Sequence, residues 1–101
     1  MMDNKPTFET NSVAIAVPGT AQQLTAHRVP QGHHLVVHAD PTNGGYIYPG
    51  ESKAKAEAHH VTLSPDGSVS LAIDNTSDVW VDGSAVGDRV EWWMEILTAD
   101  A

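Results

Sequence analysis

Residues 68–96 alternate apolar and polar side chains with a period of two, and no other feature constrains the fold of this chain more tightly. A strand points successive side chains to opposite faces, so Val69, Leu71 and Ile73 share one face. Val79 and Val81 do the same, as do Val90, Trp92, Met94 and Ile96. Short separators rich in Asp, Asn, Ser and Gly divide the three runs, residue types that bend a chain through local hydrogen bonds or positive φ. The simplest reading is a three-strand antiparallel meander.

Upstream, the same grammar continues. Val13, Ile15 and Val17 alternate until Pro18-Gly19 turns the chain, and residues 20–26 form a weaker strand with Leu24 inward. Val29-Pro30-Gln31-Gly32 is a turn by its proline and glycine positions, and it leads into residues 33–39 with Leu35 and Val37 inward. A break at residues 40–45 precedes the short strand Tyr46-Ile47-Tyr48. Residues 51–58 are the only helix-favouring stretch, too short to hold as a free helix and read as a single turn or an excursion loop. The strand pattern resumes with Val61 and Leu63. About eight short strands at this spacing predict an all-β domain, a single small β-sandwich or jelly-roll-like barrel. The domain spans residues 12–97, between an extended N-terminal arm at 1–11 and a C-terminal tail at 98–101.

The chain has 13 acidic residues against 5 basic ones, a net charge of -8, and the basic residues are scattered. Nucleic acid and anionic lipid need clustered Lys and Arg, so neither is an expected partner. No apolar run is long enough to span a membrane. Residues 1–11 lack the basic and apolar regions of a signal peptide, which implies a chain made and retained in a cytoplasm. Without cysteine there is neither disulfide nor thiolate ligand.

Candidate chemistry is sparse. His34 and His38 share a strand face but lie about 13 Å apart along it, too far for one ion. A metal site joining His34 to His59 or His60 across strands is the alternative, and Asp74, Asp78, Asp82 and Asp88 are candidate calcium ligands. Turn aspartates more often bond local backbone. There is no Gly-x-Ser-x-Gly elbow and no phosphate loop, so the expectation is a protein that is not an enzyme and carries no cofactor. Trp92 falls with the core set. Trp80 and Trp93 fall on the opposite faces beside carboxylates, where aromatic anchors serve an interface or, with Asp78 and Asp82, a carbohydrate platform. Phe8 in the arm, Trp80, Trp93, Tyr46 and Tyr48 are the candidate interface residues.

Several segments, taken in order, resemble small virion proteins of tailed bacteriophages. They are Val17-Pro18-Gly19-Thr20-Ala21-Gln22-Gln23-Leu24, the strand from Gly32 to Ala39, Asn43-Gly44-Gly45-Tyr46-Ile47-Tyr48, and residues 63–71, 73–84 and 87–90. Together they cover most of residues 13–93. The departure is residues 51–60, where similar chains carry a Gly/Ser-rich turn. The resemblance implies a compact β-sandwich and a structural role in the particle. It favours a head decoration protein on the capsid exterior, bound to the major capsid protein as a homo-oligomer, often a trimer. A tail or head-tail joining protein is the alternative within the same likeness, and a carbohydrate-binding module the alternative outside it.

Overall fold

The computed structural model describes residues 10–96, in which seven strands and one short helix follow in the order β1 (Thr10–Ala14), β2 (Gln22–Gln23), β3 (His33–Ala39), β4 (Ile47–Gly50), α1 (Lys53–Glu57), β5 (Ser68–Leu71), β6 (Trp80–Gly83) and β7 (Arg89–Ile96). They form two antiparallel sheets, one of four strands in the order β1-β7-β3-β5 and one of three in the order β2-β6-β4. The all-β sandwich expected from the alternation is therefore present, with seven strands in place of about eight. The arm residue Phe8 and the tail at 98–101 lie outside the described residues. Thr10 and Asn11, assigned to the arm, belong to β1, where they pair with Trp93 and Trp92.

The meander is not formed. β5 and β7 lie in the four-stranded sheet and β6 in the other, so every step from one strand to the next in sequence crosses between sheets. Alternation reveals which side chains face inward, but the same inward face fits either layer. The joining segments decide. Residues 72–79, with a 3₁₀ turn at Thr76–Asp78, and residues 84–88 are longer than a two-residue hairpin loop and reach the other layer, roughly 10 Å away. Buried Thr76 holds the first crossing, donating to the Thr25 carbonyl and accepting from the His27 amide.

Between the layers lies one core built from Ile15, Leu24, Leu35, Val37, Ile47, Val79, Val81, Val90, Trp92 and Met94, with Val13, Val69, Leu71 and Ile73 packed against its edge. Each fully buried aliphatic side chain contributes roughly 1.5–3 kcal/mol. Val17, read as inward, is 56% exposed, because the chain has already left β1 at Ala14 and turns through Gly19 at positive φ. The strand expected at residues 60–63 shrinks to one bridge between Leu63 and Ile47.

The helix-favouring stretch does form a helix, of five residues. Ser52 caps it by accepting from the Lys55 amide, and its buried residue Ala56 sits on β4 and β6. A Cβ added at Gly50 would lie 2.4 Å from the Ala56 nitrogen, so the helix backbone rests directly on the sheet. Too short to be stable alone, α1 persists through this packing.

Candidate functional site

Each sheet has one face in the core and one facing away, and the candidate residues divide between the two outer faces. On the three-stranded sheet the outward register pairs are Tyr48–Asp82 and Gly50–Trp80. On the four-stranded sheet the central outward row runs Thr10–Trp93–Val36–Ser70. Trp80 and Trp93 are each half-buried and belong to different sheets, so they form no common platform. Tyr46 is 47% exposed in the loop before β4, while Tyr48 is half-buried.

The outer face of the three-stranded sheet is covered by α1 and the residues after it. At its centre the Asp82 carboxylate is completely buried. Its Oδ1 accepts from the Gly19 amide at 2.8 Å and the Gly83 amide at 2.7 Å, and its Oδ2 lies 2.9 Å from His59 Nε2. Burial alone would push its pKa up, but the bonds from His59, Gly19 and Gly83 together outweigh it and hold the carboxyl below its ordinary value. His59 adopts a left-handed backbone at φ 60° and lies flat on Tyr48, the ring centroids 3.6 Å apart and the planes 15° from parallel. Beside it, Glu57 accepts from the Ala21 amide and from Lys53 Nζ, both at 2.8 Å. The excursion is thus tied to the β1–β2 loop through two carboxylates.

α1 lies against β4 and β6, and on the outer face of the four-stranded sheet Val36 is buried while Trp93, His34 and His38 are half-buried. His38 stands there with Nδ1 2.9 Å from Glu91 Oε1 and Nε2 2.9 Å from Asp66 Oδ1. A neutral imidazole has a single donor, so both bonds form only with the imidazolium. Burial opposes that charge, but the hydrogen bonds to Asp66 and Glu91 outweigh it and raise the His38 pKa above 6.5. Trp93 packs beside His38 at 5.6 Å and donates its indole N–H to Glu95 at 2.7 Å. His34 lies 3.5 Å from the other Glu95 oxygen. At one end of the face, bonds from the Thr42 hydroxyl and amide lower the Asp40 pKa to about 2.

This geometry separates the metal candidates. His34 is on one outer face and His59 on the other, and among the described residues no three His, Asp or Glu side chains are grouped to hold an ion. Of the four candidate calcium ligands, Asp82 is engaged as above, and Asp88 accepts from the Gly44 and Gly45 amides at 3.0 and 2.8 Å. Asp82 is also lost to a carbohydrate platform, since none of it reaches solvent. The sequence reading weighed His38 and His59 only as metal candidates and missed their carboxylate partners. The only sequence signal for His38 was its outward phase in the strand; its partners lie 28 and 53 residues away.

Among the described residues no helix is long and apolar enough to cross a membrane. Comparison with known proteins found no matching family model, no similar curated protein and no similar solved structure.

Proposed function

We propose that this chain is a non-enzymatic structural protein of a tailed-phage virion, a decoration protein that binds the major capsid lattice as a homotrimer on the particle exterior. One observation carries the reading. The segments that bear the resemblance supply β2, β3, the first half of β4, β5, β6 and the start of β7, in order, while the departing residues 51–60 lie outside the sandwich on one face and leave both sheets whole. The likeness therefore falls on the scaffold and the departure on an appendage. β1 lies at the edge of the four-stranded sheet, and the arm with its expected anchor Phe8 lies outside the described residues. Many copies on one lattice each need only a modest contact, because avidity multiplies it.

The test is native mass spectrometry of the purified chain, together with its occupancy on heads purified from the phage that encodes it. The expected result is a trimer that saturates the heads at a fixed copy number, with occupancy falling at least tenfold when residues 1–9 are deleted. A monomer that ignores the heads overturns the proposal. A ring of higher symmetry assigns the chain to the tail or head-tail joint instead.

A further inference from the structure

We propose that the open face of the four-stranded sheet is a binding site for a neutral glycan, seated in the shallow depression between β1 and β7 with Trp93 as its aromatic wall. The depression encloses about 370 Å³ and is lined by Thr10, Ser12, Arg89, Glu91 and Trp93 among others, a size within the usual range of small-ligand sites. Its chemistry is that of a pyranose turned inside out. The π-face of an indole is electron-rich and attracts the weakly positive C–H face of a sugar ring, while hydroxyls at the ring's rim need both donors and acceptors. Arg89 donates and Glu91 accepts. The Ser12 hydroxyl, 2.8 Å from Arg89 Nη2, does both.

Charge selects among occupants. The four strands carry acidic Glu91 and Glu95 but a single fixed cation, Arg89; Asp66 joins the same face through His38, and Asp40 stands at one end of it, held by Thr42. Two copies face to face would set these carboxylates against one another. A polycationic partner gains little either, because each carboxylate already has its donor: Glu91 and Asp66 have His38, and Glu95 has the Trp93 indole N–H. A face rich in charge but compensated locally suits a ligand that is polar and uncharged. Such a site goes beyond lattice attachment and stands or falls independently of it.

The experiment is titration of the full-length protein with a panel of methyl glycosides and neutral disaccharides, read by saturation-transfer NMR and calorimetry. Wild type is expected to bind at least one neutral sugar with a Kd in the millimolar range or tighter. Trp93→Ala weakens that sugar at least tenfold, Trp93→Phe retains part of the affinity, and Arg89→Ala weakens it several-fold. Near-UV circular dichroism of buried Trp92 reports whether each variant is folded, and Arg89→Ala, at an exposed position, decides the matter if Trp93→Ala is not. Lys53→Ala, on the opposite outer face, binds as wild type does. Absence of binding to every neutral sugar overturns the inference, as does binding that Trp93→Phe and Arg89→Ala both leave unchanged. Binding to a polylysine peptide alone assigns the face to a cationic partner, and concentration-dependent broadening of the Trp93 indole signal assigns it to a second copy; either overturns it.

Discussion

On the three-stranded sheet the outward pairs Tyr48–Asp82 and Gly50–Trp80 lie beneath the chain's own excursion, whereas the outward row Thr10–Trp93–Val36–Ser70 of the four-stranded sheet is exposed at both ends, with Trp93 half-buried and Val36 buried. Both faces carry histidines held by carboxylates, yet they solve different problems. The Asp82 carboxylate is sealed from water, so its lone pairs must be answered by protein donors, which the β1–β2 loop, the Gly83 amide and His59 provide. On the open face the same groups answer one another sideways, from strand to strand, through His38, Glu91, Glu95 and Trp93. Covering a face requires residues that invite backbone close and bury charge. Leaving one open requires only lateral pairing.

The sharpest way to break this contrast is to lift the cover. Gly50→Ala places a Cβ 2.4 Å from the Ala56 nitrogen and 2.8 Å from its Cα, contacts that backbone cannot yield without moving α1 off the sheet. The expected loss is about 3 kcal/mol in urea unfolding, the upper end of overpacking costs. Gly44→Ala, where nothing lies within 4 Å of the added carbon, should leave the midpoint unchanged. Equal effects from the two substitutions would mean that the helix does not rest on β4.

The contrast between faces also marks how far the sequence could be read. Period-two alternation identified Leu35, Val37, Val79, Val81, Val90, Trp92 and Met94 as inward, because a strand with one wet face must alternate whatever its neighbours are. It could not say that β7 pairs with β1 and β3 and not with β6, since pairing depends on where the connections lead. Asp82 was read as a candidate calcium ligand, a turn aspartate bonding local backbone or part of a carbohydrate platform, none of which required it to be buried. Its burial comes from residues 51–60, whose composition signals a helix but not its resting place. Trp93 was legible as an outward aromatic, but its relation to Arg89 and Ser12 awaited the β1–β7 register.

A second test removes the centre of the covered face. Asp82→Ala strips the partner from the buried Gly83 amide, from the Gly19 amide and from His59, and should cost about 2 kcal/mol, the penalty of a buried donor left unmet. The pH dependence has a definite sign. The folded-state pKa of Asp82 lies below its ordinary 3.8, so its contribution is present above pH 3.8 and is lost as pH falls through the folded value. Wild type should therefore lose stability in acid more steeply than Asp82→Ala when denaturant midpoints are compared from pH 5 downwards. Parallel acid limbs would show that this carboxylate is not what the cover depends on.

The open face predicts the opposite sign and a smaller effect. His38 titrates above 6.5 in the folded state, so the stability it gains from Glu91 and Asp66 is fully present below pH 6.5 and is lost as pH rises through the folded value. Its pairs lie at the surface, with Asp66 72% exposed, and solvent screens them; His38→Gln should cost about 0.5 kcal/mol at pH 6 and less at pH 8.5. Denaturant midpoints at the two pH values, with NMR titration of the His38 ring in wild type, measure both parts. In Asp82→Ala the alkaline decline should persist while the acid one shrinks, and in His38→Gln the reverse. If instead one substitution flattened both limbs, the two outer faces would be one coupled network, and covering one would already constrain what the other can bind.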